Sequence, residues 1–144
     1  MLIRKITRRD MSSIVKMEEV LSHDPLNDNT FHTYVHSSVG IAMLAEENDM
    51  IGAYIIASIK SDKILIHKFV CVTNFIKANV EASLLSLMKE RCTKTRKKVE
   101  YRVPESNLRQ QLVLRDNGFL ATKVERGYYR TEDAYLMEWT YNEL

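Results

Sequence analysis

The chain has 144 residues, of which 45% are apolar and 28% are charged, and its formal net charge is +2. A chain of about 150 residues buries roughly 68–70% of its unfolded surface, so we expect residues 1–144 to form a single domain. The balanced charge excludes a histone-like basic protein and an acidic disordered segment. Glycine is scarce, with 4 residues in all. Because phosphate loops place two or three glycines within about six residues, the sequence contains no such loop.

The sequence also predicts the cellular setting. No apolar run approaches the roughly 18–20 residues of a transmembrane helix, and the charged stretch MLIRKITRRD is unlike a signal peptide. Cys71 lies in an apolar run typical of a strand, and Cys92 lies in a helical pattern. Two such cysteines favour buried thiols over a disulfide. We therefore expect a reduced, cytoplasmic protein that does not associate with membranes.

The first half of the chain predicts two helices followed by three strands. Asp10 can cap a helix whose apolar residues recur at spacings of three and four, at Ile14, Met17 and Leu21. Residues 21–40 are typical of a loop and a short helix, held by the apolar side chains of Leu26, Phe31 and Val35. Three strands then follow at residues 41–45, 50–59 and 63–72. Asn48-Asp49 and Ser61-Asp62 are the hairpin turns expected between them.

The second half alternates helices and strands. A helix with one apolar stripe is predicted over residues 80–95, and its basic C-terminal end suits the helix dipole. A strand at 99–103 precedes a helix that Ser106 or Asn107 caps and Gly118 ends. The last two strands, at 119–125 and 134–141, are expected to join around Gly127. The whole order predicts a mixed α/β sheet of about six to seven strands, flanked by about four helices.

Three motifs occur at matching places in this order of elements. They are E…P-W-x-x-x-x-F over residues 18–31, with Leu26 for the tryptophan; N-x(10)-G-F over 107–119; and a counterpart of N-Y-Y…E-D-A at Gly127-Tyr128-Tyr129 and Glu132-Asp133-Ala134. Together they resemble the GNAT superfamily of acetyl-CoA-dependent N-acetyltransferases, most of all the RimI group, which acetylates protein N-terminal amines. The resemblance covers nearly the whole chain. It implies a GNAT-like fold, acetyl-CoA as cosubstrate and a primary amine as acceptor, such as a peptide N-terminus or a small molecule.

The cofactor motif departs from the family pattern. Where the family has V-x-P and R/Q-x-x-G-x-G/A, this chain has Val72-Thr73-Asn74 and Lys77-Ala78-Asn79-Val80-Glu81-Ala82. In such a site, backbone N–H groups at a helix N-terminus face a pyrophosphate. Val80 adds a branched side chain where the family has glycine, and Glu81 adds a negative charge that is unfavourable beside an anion unless it turns outward. The cofactor-binding residues that the resemblance implies are Val70, Cys71, Val72, Lys77, Ala78, Asn79, Val80, Glu81, Ala82 and Asn107.

Two positions that carry the family's chemistry also differ. The tyrosine that protonates the departing thiolate corresponds to Leu114, and the glutamate that serves as base corresponds to Arg102. Leucine has no proton to give, and arginine is effectively never deprotonated. An N-terminal amine, with a pKa near 7.7–8, needs a weaker base than a lysine with a pKa near 10.4. A weak base or a water relay therefore suffices for an N-terminal acceptor.

Other groups can supply the remaining chemistry. A backbone N–H of the strand Val70-Cys71-Val72 can polarise the thioester carbonyl without a particular side chain. The candidate proton-transfer residues are His67, Tyr101, Tyr128 and Tyr129, and of these we expect Tyr129 and His67 to be catalytic. The resemblance places Leu26, Tyr128 and Tyr129 along the substrate groove.

Other interpretations remain open at this point. The departures at Val80, Leu114 and Arg102 also fit a GNAT-fold protein that has lost acetyl transfer and acts in binding or regulation. The basic segment 91–98 could contact nucleic acid, but a net charge of +2 disfavours this. His67 alternates with apolar neighbours, as a structural core histidine would. His32 and His36 lack the glutamate of H-E-x-x-H, so we expect no metal site, and an exposed edge strand near the C-terminus would permit a homodimer.

Overall fold

A computed structural model describes residues 1–22, 24–72 and 79–142. Its helices are α1 (Met11–Leu21), α2 (Asp28–Val35), α3 (Val80–Lys89) and α4 (Leu108–Asp116), with a 3-10 turn at Arg8–Asp10. Its strands are β1 (Leu2–Lys5), β2 (Gly40–Glu47), β3 (Met50–Ile59), β4 (Lys63–Cys71), β5 (Lys98–Pro104), β6 (Leu120–Tyr129) and β7 (Glu132–Thr140). The strands form one sheet in the order β1-β2-β3-β4-β5-β7-β6. This confirms the predicted mixed α/β sheet with helices around it.

Strand β3 shows how the sheet separates two apolar cores. Ala53, Ile55 and Ala57 pack under α3 on one face, while Tyr54 and Ile56 pack under α1 and α2 on the other. Both faces of β3 are therefore covered, which explains its nearly continuous apolar sequence. None of the helices in the described ranges is long and apolar enough to cross a bilayer.

The carboxylate of Asp10 has a different role from the predicted one. Asp10 occupies the N-cap position of α1, but its side chain makes no capping bond to that helix. It accepts the Thr7 N–H at 2.7 Å and a two-pronged bond from the Arg4 guanidinium at 2.9 Å. The Arg4 bonds lower the pKa of Asp10 more than its partial burial raises it. Asp10 thus ties β1 to the turn that starts α1.

Two element boundaries differ from the prediction for local reasons. Helix α3 ends at Lys89, because Thr93 exchanges backbone and side-chain bonds with Arg96 and so forms a turn that replaces the last helical turn. Strand β6 continues through Gly127 to Tyr129. Gly127 has a positive φ and lies at a bulge in β6, where its N–H donates to Asp133 Oδ1 at 2.7 Å. The hairpin turn follows after the end of β6.

The sheet opens between β4 and β5. These two strands are parallel, and their pairing runs from Lys63↔Lys98 only to Ile66↔Tyr101. Beyond that point β4 continues to Cys71 along β3, and β5 continues to Pro104 along β7. A bulge at His67, opposite the Ile56/Ala57 step of β3, marks where the strands part. The opening therefore lies at the carboxyl ends of two parallel strands.

Candidate active site

A cavity of about 300 Å³ occupies the opening between β4 and β5. Seven residues predicted from sequence line it: His67, Val70, Cys71, Tyr101, Asn107, Tyr128 and Tyr129. The segment after α1 contributes Ser22 and Asp24, and the first turn of α4 contributes Arg109 and Gln110. The fold thus brings together residues from stretches that are far apart along the chain.

The wall formed by β4 presents backbone groups to this cavity. The Val72 N–H donates to the Gly52 carbonyl of β3 at 2.8 Å, so Val70 and Val72 direct their backbone groups toward β3. Phe69 and Cys71 alternate with them and direct theirs toward the opening. The Phe69 carbonyl indeed accepts a bond from Gln110 Nε2 at 2.6 Å. Of the three predicted strand residues, Cys71 is therefore the one whose N–H points to the open side.

The N-terminus of α3 accommodates both of its unusual residues. Val80 is 9% exposed and packs into the main core, so its methyl groups point into the protein. The Glu81 carboxylate forms a two-pronged ion pair with Arg109 of α4, at 2.7 and 3.1 Å. This pair raises the pKa of Arg109. Asn79 precedes the helix at its N-cap position and Ala82 is half-buried, while Thr73, Asn74, Lys77 and Ala78 lie outside the described residues.

The first turn of α4 is tied to its surroundings at several points. Asn107 caps the helix by accepting the Gln110 N–H on its side-chain oxygen at 3.2 Å, one of the two predicted caps. Gln111 Nε2 donates to the carbonyls of Pro104 and Glu105, each at 3.0 Å. Because Arg109 also reaches α3, this single turn links β4, β5 and α3 at the edge of the cavity.

Tyr129 and Tyr128 form the opposite wall. The Tyr129 hydroxyl donates to the Arg102 carbonyl at 3.1 Å, and its ring lies edge-on to that of Tyr128. Burial first, and then the nearby Tyr128, Asp24 and Glu132, raise the pKa of Tyr129. Its phenol therefore stays protonated at neutral pH, and it is a weaker acid than an exposed tyrosine. The Arg102 guanidinium stacks 5.4 Å from the Tyr128 ring and pairs with Glu125 at 2.9 Å.

His67 lies at the bulge where β4 leaves β5. Its Nε2 lies 2.6 Å from Ser58 Oγ, and its ring stacks on Tyr34 with 4.2 Å between centroids. Burial, followed by the positive charges of Lys60 and Lys68, lowers the pKa of His67 to about 4. The imidazole is therefore neutral at pH 7 and a weak base.

Two residues that the family pattern places at the site lie in the cores instead. Leu26 is 4% exposed and packs beside Phe31, with its N–H donating to Glu18 Oε1 at 3.2 Å. Leu114, on α4, is fully buried in the main core. Each fills space between a helix and the sheet, which an apolar side chain does well.

A buried network that the sequence prediction missed holds the segment between α1 and α2 over the cavity. The Lys68 ammonium pairs with the fully buried Glu18 at 3.1 Å and donates to the Ser22 hydroxyl at 3.2 Å and to the Asp24 carbonyl. Tyr54 donates to the other oxygen of Glu18 at 2.5 Å. One signal was available: Glu18 follows Ile14 by four residues, so a carboxylate shares the apolar face of α1.

Comparison with known proteins identifies the fold. No protein-family model and no curated protein sequence matches the chain. Several solved structures do match.

The ribosomal-protein-S18-alanine N-acetyltransferase of Escherichia coli has a TM-score of 0.83 at 17% sequence identity, over 99% of this chain and 95% of that one. NAA60 of Arabidopsis thaliana, in complex with a bisubstrate analogue, gives 0.85 at 14%, over 98% of both chains. A GNAT family acetyltransferase from Elizabethkingia anophelis with acetyl-CoA bound gives 0.72 at 14%, over 97% of both.

These similarities extend over almost the full length of each chain. They confirm the resemblance inferred from the sequence motifs: the protein has the fold of the GNAT acetyltransferases. At such low sequence identity the likeness establishes the fold, and function must be argued from the site itself.

Proposed function

We propose that the protein is an acetyl-CoA-dependent N-acyltransferase acting on a primary amine, such as a protein N-terminus. The observation that carries this proposal is the opening between β4 and β5, with strand backbone on one wall and the N-terminus of α3 following β4. The extended pantetheine arm of acetyl-CoA contains amides, and it can form hydrogen bonds with an open strand edge as another strand would. The helix N-terminus suits phosphate, and Arg109 neutralises its one adverse charge, Glu81.

In the proposed reaction, the amine nitrogen attacks the thioester carbonyl carbon. The new C–N bond becomes an amide, the C–S bond breaks, and the departing sulfur takes a proton to become the free thiol of coenzyme A. In this proposal a backbone N–H of β4, such as that of Cys71, polarises the carbonyl oxygen. In this proposal Tyr129, which lines the cavity and stays protonated at neutral pH, donates the proton to sulfur.

The proton-accepting groups of the cavity favour an acceptor whose amine is easily deprotonated. Among the described side chains that line it, the ordinary bases are His67 and Asp24, and the lowered pKa of His67 makes it a weak base at neutral pH. An α-amine, with a pKa near 7.7–8, is partly neutral at pH 7 and can lose its proton to water, whereas a lysine amine near 10.4 needs a strong base. An N-terminal amine is therefore the acceptor that this site serves best.

Calorimetric titration with acetyl-CoA, followed by thiol release with short peptides, tests the proposal. We expect Tyr129→Phe to lower kcat by on the order of 100-fold or more, because general acid catalysis contributes about 10²–10⁴. Tyr141→Phe, outside the cavity, is the matched control and should retain activity. Unchanged turnover in Tyr129→Phe would remove this residue from the mechanism.

A second candidate is a GNAT-fold protein that binds acetyl-CoA without transferring its acetyl group. It is favoured by Leu114 and Arg102, which leave two proton-transfer positions without a suitable group. Binding heat with no thiol release for any peptide would establish this alternative. No heat at millimolar acetyl-CoA would refute both.

A further inference from the structure

Gln110 lies where the first turn of α4 meets the open edge of β4. Its side chain is buried, with the residue only 3% exposed, although it lines a cavity large enough for part of a ligand. Its Nε2 donates to the Phe69 carbonyl at 2.6 Å. A long polar side chain is thus held inside the opening by a bond to the strand.

The Phe69 carbonyl needs a donor from this side. Val72 bonds to β3 and Phe69 alternates with it, so its carbonyl points away from β3. Strand β5 cannot supply the donor, because its pairing with β4 has ended at Ile66↔Tyr101. A buried carbonyl without a donor is costly, and Gln110 fills the position that a neighbouring strand would have filled.

We propose that Gln110 sets the affinity for acyl-CoA by holding the strand carbonyl that an amide N–H of the pantetheine arm would otherwise take. This inference rests on the proposed function, since it concerns how the same opening receives its cosubstrate. The arm carries two secondary amides, and each resembles a peptide unit in its donor and acceptor. To pair with β4 at Phe69, an amide N–H of the arm requires the carbonyl that Gln110 Nε2 now occupies.

Gln110 can release this carbonyl without disturbing its helix. The backbone N–H of Gln110 is held by Asn107, and the same turn is anchored to α3 by the Arg109–Glu81 pair. Neither contact involves the Gln110 side chain. Rotation of that side chain therefore breaks one bond and leaves α4 in place.

Calorimetric titration of two variants tests the inference. Gln110→Ala removes both donor and volume, whereas Gln110→Met keeps a similar volume and removes the donor. We expect both to bind acetyl-CoA about fivefold to tenfold more tightly than the unmodified protein, the effect of one hydrogen bond of ordinary strength. Gln111→Ala is the matched control, since Gln111 lies next to Gln110 but donates to Pro104 and Glu105 instead.

A second probe separates the arm from the nucleotide. Adenosine 3′,5′-bisphosphate lacks pantetheine, so its affinity should be the same in all four proteins. Unchanged or weaker acetyl-CoA binding in both Gln110 variants, or equal gains for both probes, would overturn the inference. A gain in Gln110→Ala alone would also overturn it, because volume and not the donor would then be decisive.

The same titrations distinguish this inference from the proposed function. If only the Gln110 variants bind acetyl-CoA, the inference is supported and the unmodified protein is not an acetyl-CoA-dependent enzyme. If none of the proteins binds it, both ideas are refuted. Binding by all with equal affinity refutes the role of Gln110 alone.

Discussion

The ion pair between Glu81 and Arg109 allows the sharpest test of how this site is built. It joins the first turns of α3 and α4 through two N–H···O bonds of 2.7 and 3.1 Å. The two side chains differ in exposure, with 39% for Arg109 and 8% for Glu81. Removing one partner should therefore have a different effect from removing the other.

The expected energies follow from this asymmetry. Opposite charges about 4 Å apart attract by about 4 kcal/mol at an effective dielectric constant of about 20, before desolvation reduces the net value. Glu81→Gln leaves a half-exposed guanidinium that water can solvate, so we expect the free energy of unfolding to fall by about 1 kcal/mol. Arg109→Met leaves a buried carboxylate without its cation, so we expect the free energy of unfolding to fall by about 2–3 kcal/mol. With about 1 kcal/mol for the double variant, the coupling energy is about 2–3 kcal/mol.

Urea denaturation of the four proteins measures this coupling. The Lys98–Glu138 pair, at 3.4 Å with a Lys98 side chain 48% exposed, is the matched control and should couple by less than about 0.5 kcal/mol. A coupling for Glu81 and Arg109 as small as that of the control pair would refute the reasoning.

Acetyl-CoA affinity provides a second, independent measurement on the same four proteins. Arg109→Met exposes the α3 N-terminus to the uncompensated charge of Glu81, so the affinity should fall, and most at low salt. Glu81→Gln combined with Arg109→Met removes that charge and should restore part of the affinity. Equal affinity in the single Arg109 variant and the double variant would contradict a compensating role for Arg109.

Two further predictions concern His67 and Leu114. The pKa of His67 is lowered to about 4 in the folded protein, below its unfolded value near 6.5. As the pH falls, the unfolded chain therefore binds a proton at this residue before the folded protein does, and the free energy of unfolding decreases. Between pH 7 and pH 5, the free energy of unfolding measured in urea should fall by about 1 kcal/mol more in the unmodified protein than in His67→Gln. Equal decreases in the two proteins would contradict this expectation. Leu114→Tyr restores the family's tyrosine but overpacks a fully buried position, so we expect a loss of about 1–3 kcal/mol without faster thiol release. Faster release would show that the tyrosine reaches the cavity.

Much of the fold could be predicted because local signals agree with tertiary packing. The predicted bounds of β3, 50–59, match the structure residue for residue. Its apolar run is buried on both faces, and Asn48 and Asp49 both adopt positive φ, as a tight hairpin turn before it requires. The end of α3 was harder to predict, because the bonds between Thr93 and Arg96 compete with helix continuation and leave no mark on hydrophobic periodicity.

The site was only partly accessible to the same reasoning. Motif spacing located the residues that gather at the opening, since a shared order of elements places them there. Their interaction partners were not accessible, because Arg109 is 28 residues from Glu81 and Phe69 is 41 residues from Gln110. Such pairs depend on how two helices cross a sheet, and spacing along the chain carries no information about that geometry.

The departures from the family pattern divide into two groups with different physical consequences. Val80 and Glu81 lie at the α3 N-terminus, and each is accommodated, one by the core and the other by Arg109. Leu114 and Arg102 correspond to positions where the resemblance implies proton transfer, and neither side chain is suited to that step. Under the proposed function, cosubstrate binding and proton transfer are therefore separable: binding would depend on the α3 N-terminus and the open edge of β4, and proton transfer would depend on Tyr129. If acetyl transfer occurs, its rate should respond strongly to Tyr129 and to acceptor pKa, while binding of acetyl-CoA responds to neither.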